Sequence, residues 1–164
     1  MSKSKEKLPI NLENECPVEF HWGTFCRQAL QEPGNTDFSL ITVLPTLKMI
    51  MKGSGPLPEI IPLETMCVYT VFKRKPNFSG TLQIPLEIEI DFPGRKSEAG
   101  RNILVLGPDH NFCQSVVKLI NPAIAVPLKL GIQEFTCQTL LRFGNSEIAS
   151  VLLPLTVEVS NVDA

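Results

Sequence analysis

Residues 81–92, TLQIPLEIEIDF, alternate apolar and polar side chains with one interruption, at Pro85. A period of two is the mark of a half-buried strand, because successive side chains of an extended chain point to opposite faces. The alternation puts Leu82, Ile84, Leu86, Ile88, Ile90 and Phe92 on one face, predicted to be core, and Thr81, Gln83, Pro85, Glu87, Glu89 and Asp91 on the other. The same local text returns as IPLE at 61–64, VPLK at 126–129 and LPLT at 153–156. The separations differ, so this is no fixed-period repeat. A proline forces its predecessor into the extended region and cannot donate to a sheet ladder. Each of these prolines is therefore expected at a strand start, a bulge or an unpaired edge, and Pro85 is read as protecting an edge.

The rest of the chain fits the same description, with short β-branched or aromatic segments separated by Gly, Pro, Asn and Asp. Strands are predicted in VEFHWGTF (18–25), FSLITVL (38–44), TLKMIM (46–51), TMCVYTVFKRK (65–75), TLQIPLEIEIDF (81–92), NILVL (102–106), SVVKLI (115–120), IQEFTCQTLLRF (132–143) and SVLLPLTVEV (150–159). In the first strand, alternation sets His21 with Glu19 and Gly23, opposite Val18, Phe20 and Trp22. CRQALQE (26–32) is compatible with one helical turn, PGNTD (33–37) signals a turn, and the last two strands form a hairpin around Gly144 and Asn145. FSLITVL is an apolar run of the kind expected to be buried on both faces. Eight or nine strands without long helical patterns predict an all-β chain, an antiparallel β-sandwich or a partly closed barrel. Its single domain is expected at 17–160, behind a flexible N-terminal tail at 1–16.

A formal net charge of -2 neither recruits nor repels nucleic acid, and no apolar stretch is long enough to cross a bilayer as a helix. The basic residues at the N-terminus are not followed by an apolar run of the signal-peptide type, which makes the cytoplasm the expected compartment. Cys16, Cys26, Cys67, Cys113 and Cys137 are odd in number, widely separated and free of C-x-x-C spacing. That pattern predicts buried, reduced thiols, with neither a disulfide framework nor a zinc ribbon. No phosphate-binding loop, nucleophile elbow or dinucleotide fingerprint is present, and no cofactor or metal is expected. Glu87, Glu89 and Asp91 lie in a row along one strand and diverge, which suits a solvated face better than calcium.

Two groups of residues carry possible chemistry. PDHNFC (108–113) sets Asp109, His110 and Cys113 close together, the residue types of a thiol enzyme, although the same text suits a tight turn. No catalytic residue is assigned on that basis. Lys73, Arg74 and Lys75 end one strand, and Arg95, Lys96 and Arg101 fall in the loop GRKSEAGR and just beyond. If the two groups share one end of the fold, they form a partner-binding surface for an acidic protein or, less favoured for want of interleaved aromatics, for nucleic acid.

The first strand ending in Thr-Phe-Cys, the polar loop after it, FSLITVLP and the closing GIQEFTCQTLLRFGNSEIASVLLPLTVEV hairpin together resemble a family of small bacterial β-sandwich proteins of unknown function, over about residues 18–160. The resemblance implies a bacterial cytosolic setting and no catalytic residue. The functional expectation is a non-enzymatic interaction module, binding a protein partner or itself through a sheet edge or outer face, and hence a homo-oligomer. The competing expectation is a small thiol enzyme built around His110 and Cys113.

Overall fold

The computed structural model describes residues 15–31, 33, 38–95 and 99–161, and every regular element among them is a strand. One sheet has four strands in the order β2 (Phe38–Leu44), β1 (Val18–Gln31), β5 (Met66–Arg74) and β8 (Phe112–Leu119). A second has five, in the order β3 (Leu47–Lys52), β11 (Ser146–Ser160), β10 (Gly131–Phe143), β6 (Leu82–Asp91) and β7 (Ala99–Leu106). The dipeptides β4 (Ile61–Pro62) and β9 (Ala123–Ile124) pair separately. All pairings are antiparallel except β3 with β11. The all-β expectation holds. The nine segments named from sequence each fall on a strand, and β4 and β9 bring the number among the described residues to eleven. The tail at 1–14, the turn residues 34–37 and Lys96 lie outside the described residues.

The prolines sit where pairing changes. β6 pairs with β7 from Leu82 to Glu89 but is joined by β10 only from Glu87, so Pro85 lies in the stretch with a neighbour on one side alone. β11 pairs with β10 along its length but with β3 only from Leu155, the residue after Pro154. In each case the proline stands just outside the stretch that is paired on both sides. Pro62 occupies one of the dipeptide strands, and Pro127 lies in the extended segment between β9 and β10.

Two local irregularities overturn parts of the face assignment. The register of β1 on β5 shifts between Phe20 and Trp22, a bulge at His21. An extra residue reverses the alternation beyond it. Phe20 packs in the interior, while Trp22 turns to the other face and packs, tilted, on Tyr69 with ring centroids 5.3 Å apart, so Trp22 does not share a side with Val18 and Phe20. In β2, Thr42 has φ of 51°, a left-handed conformation that costs a β-branched residue about 1–2 kcal/mol. It separates Leu44, in the interior cluster, from Leu40, which packs on the opposite face against Cys26 and Tyr69. The helical turn expected at 26–32 is also absent from its described residues. β1 continues to Gln31, held extended by pairing with β2 from Phe25↔Leu44 to Gln31↔Phe38, because tertiary pairing outweighs a weak local helix preference.

Both large sheets contribute to one interior. Phe25, Met66 and Val68 meet Val151, Leu153, Leu155 and Val157 of β11 toward one end. Phe72 and Cys113 meet Ile84, Leu86, Leu104 and Leu141 toward the other. The predicted core face of β6 is in place, with Leu82, Ile84, Leu86, Ile88 and Phe92 all buried. The sheets also touch at two margins. Gly23 of β1 lies against Val151 of β11, and Asn102 Nδ2 of β7 donates to Ser115 Oγ of β8 at 2.9 Å. One sheet curls as a half-barrel. After β6, residues Phe92–Arg95 turn sharply, with Gly94 at φ of 76°, and a Cβ there would collide with the Ala125 carbonyl.

Candidate interaction surface

The loop that suggested thiol chemistry is a turn. His110 N donates to Gly107 O at 3.2 Å, and Asn111 O accepts from Arg74 N at 2.8 Å. Arg74 holds the whole corner. Its Nε donates to His110 O at 3.0 Å, one Nη reaches Gly80 O at 3.0 Å and Phe78 O at 3.5 Å, and the other donates to Gly107 O. The planar guanidinium thus ties the segment after β5 to the turn before β8 through four backbone carbonyls, a role its fixed fork of donors suits and a single ammonium does not.

His110 and Cys113 both line a shallow cleft of about 140 Å3, with Phe38, Val105, Phe112 and Gln114. Cys113 itself lies on the interior face of β8, buried among Phe72 and Leu104. Burial pushes its thiol up to about 11, against a smaller opposing pull from Arg74. A thiol in that range is protonated at neutral pH, whereas a nucleophilic cysteine needs the reverse shift. No cluster of His, Cys, Asp and Glu among the described residues has the arrangement of a metal site.

Among the described residues the two basic groups do not share an end. Lys73, Arg74 and Lys75 close β5 at the end where β6 begins, and Arg95 follows the far end of β6, ten residues away along the strand. Arg101 stands opposite Glu87 in the β6–β7 ladder and pairs with it at 3.6 Å. Lys75 reaches Glu15 at 3.4 Å. The acidic row is the solvent face of an internal strand, where Glu89 meets Arg142 at 3.4 Å across to β10.

What sequence reasoning missed is β2. FSLITVL is an edge strand instead of one buried on both faces, since only Leu44 is buried in the interior and Phe38 and Leu40 are half-buried on the opposite face. Ile41 and Val43 remain 42% and 49% exposed. The segment has no charged residue and no proline within it, and no described strand pairs along its outer side. By contrast the other edge of that sheet, β8, is tied to β7, and the β3 edge carries Lys48 and Lys52. A second apolar group, Ile103 and Val105 of β7 with Phe112 of β8, is exposed near the cleft, and the Phe112 ring lies tilted against His21 with centroids 5.3 Å apart. The run's uniform apolarity reads the same for a central strand and an edge strand, so only strand order separates them. No protein-family model matches the chain, and no curated protein matches it by sequence.

Proposed function

We propose that this chain is a non-enzymatic interaction module of antiparallel β-sandwich architecture, which docks a protein strand on the edge of β2, in the first instance β2 of a second copy. The observation that carries the reading is an apolar, uncharged edge strand with Ile41 and Val43 half uncovered. Sheet edges without a charge or a proline recruit further strands, because their backbone groups already lie in ladder geometry. Two copies related by a two-fold axis can pair β2 with β2 antiparallel, and closed two-fold dimers are the commonest solution for such a surface.

Completing the burial of one half-exposed Ile or Val side chain contributes about 1 kcal/mol, so the four across a two-fold supply roughly 4 kcal/mol. Association costs about 4–15 kcal/mol in lost rigid-body freedom. The ladder hydrogen bonds must therefore supply the surplus, and the expected affinity is micromolar. The thiol-enzyme alternative has less support, because Cys113 is a buried, protonated thiol. The nucleic-acid alternative has less because its basic residues sit at separate places. A cytoplasmic setting stays part of the proposal.

Light scattering coupled to size exclusion tests it. The full chain is expected to shift from monomer to dimer over the micromolar range. Ile41→Lys and Val43→Lys are expected to hold it monomeric, and Ile103→Lys is expected to leave the shift unchanged. A monomer at high micromolar concentration, or a dimer abolished by Ile103→Lys and untouched by Ile41→Lys, refutes docking through β2.

A further inference from the structure

Cys26 and Cys67 are 41 residues apart in sequence and directly opposite each other in space, as register partners on the adjacent antiparallel strands β1 and β5. Opposed residues of an antiparallel pair project from the same face. Both side chains belong to one small cluster, with Tyr69 and Val71, on the face of the sheet turned away from Phe25 and Val68. Whichever of the two kinds of cross-strand site this is, the Cα atoms of such a pair stand about 4.5 or 5.5 Å apart, and a disulfide spans Cα separations of about 4.4–6.8 Å. Both are free thiols here.

We propose that Cys26 and Cys67 are a redox modification site, closed to a reversible cross-strand disulfide by exchange with a low-molecular-weight disulfide of the glutathione class. Cys67 is the point of entry. It is 5% exposed where Cys26 is fully buried, and its register partner on β8, Lys118, brings an ammonium to the same face. The Cys67 thiolate attacks one sulfur of the small disulfide, whose S–S bond breaks and whose released thiolate takes up a proton. The mixed disulfide on Cys67 is then attacked by Cys26, which gives up its proton to the second small thiolate as that leaves. Two protein S–H bonds and one small-molecule S–S bond are consumed, and one protein S–S bond and two small thiols are formed. Two electrons pass from the protein to the small disulfide.

The site's position accounts for slow entry and easy reversal. Burial pushes the Cys26 thiol up to about 11, with the neighbouring Cys67 adding to the rise and a backbone hydrogen bond at Gln28 opposing it, so Cys26 acts only on a sulfur already beside it. The cover is thin, comprising Ala29, Val116 and, from the edge strand β2, Phe38 and Leu40. Directly opposed strand positions hold Cβ atoms about 4.5–5.5 Å apart, wider than the roughly 3.8 Å a relaxed disulfide prefers, so the bond draws the strands together and is readily reduced.

The full chain, equilibrated natively in oxidised glutathione, then alkylated after unfolding and mapped by peptide mass, tests the site. Alkylatable thiols are expected to fall from five to three, with one Cys26–Cys67 cross-link that reduced glutathione reverses. Cys26→Ser is expected to stop the sequence at its first step and accumulate one glutathionyl group on Cys67. Five alkylatable thiols after equilibration, or a link between Cys16 and Cys113 in place of Cys26–Cys67, overturns the proposal, as does a Cys26→Ser chain that takes up no glutathione.

Discussion

Gly23 of β1 and Val151 of β11 approach so closely that a Cβ on Gly23 would lie 2.9 Å from Val151 Cγ2, and 3.0 Å from both Thr70 Cγ2 and Tyr69 O. The contact joins the two large sheets where, among the described residues, neither strand has another neighbour on that side. β1 is not yet paired with β2 there, and β11 is not yet paired with β3. A side chain at 23 must push against a carbonyl as well as two methyl groups, and only the methyls can move cheaply. Gly23→Ala is expected to destabilise the fold by about 1–3 kcal/mol, read as a lower urea midpoint at unchanged slope. An unchanged midpoint would mean that the sheets do not meet at this margin.

Arg74 separates two roles that a basic side chain can have. If its charge served an external acidic partner, lysine would substitute for it. Its donors instead go to the carbonyls of Phe78, Gly80, Gly107 and His110, and Lys offers one compact group in place of a planar fork. Arg74→Lys is expected to cost about 1–3 kcal/mol, close to the cost of Arg74→Ala, by chemical denaturation. Full retention of stability in Arg74→Lys, with loss in Arg74→Ala, would overturn the clamp.

Thr139 lies in the interior between Cys137 and Leu141, and its hydroxyl has no hydrogen-bond partner among the described residues. A buried hydroxyl without a partner carries its full desolvation cost, and valine has nearly the same shape without it. Thr139→Val is expected to stabilise the protein by about 1 kcal/mol, which raises Tm by about 2–4 °C in a chain of this size. A fall in Tm would show that the hydroxyl is satisfied.

Alkaline pH is expected to destabilise the protein. Burial pushes the Cys137 thiol from 9.0 to about 12, and Cys26 and Cys113 to about 11. Between these values and 9.0 the unfolded chain has lost thiol protons that the folded chain retains, so folding stability falls as pH rises through that window and is unaffected by these groups below it. Across its own window each of these thiols lowers stability by on the order of 1.4 kcal/mol per pH unit. Urea midpoints taken across the window check the sign, and Cys137→Ala is expected to flatten the slope.

The periodic parts of the fold were legible because they are local. The alternation in TLQIPLEIEIDF places its core face correctly, and Gly144–Asn145 does join β10 to β11, with Phe143 opposite Ser146. The bulge at His21 and the left-handed Thr42 each alter the alternation within otherwise regular text, and neither residue type announces it. Register is the larger gap. The meeting of Cys26 with Cys67, of Asn102 with Ser115, and the parting of Lys73–Lys75 from Arg95 depend on which strands become neighbours, and no short window of sequence contains that information. The same gap concealed that FSLITVL is an edge.

The parallel pairing of β3 with β11 fixes an order of events during synthesis. β3 follows β2 across Pro45 and Thr46, but among the described residues its partner strand in the five-stranded sheet is made about a hundred residues later, so non-local closure must wait for translation to catch up. Through that interval Leu47, Met49 and Met51, which later pack into the interior, have no sheet to cover them, and the apolar edge beside them is open too. At ribosomal speeds of about 5–20 residues per second the delay lasts seconds, long for two uncovered apolar segments of this kind. Heterologous yield is therefore expected to respond more to chaperone supply between the emergence of β2 and the arrival of β11 than to the stability of the finished fold.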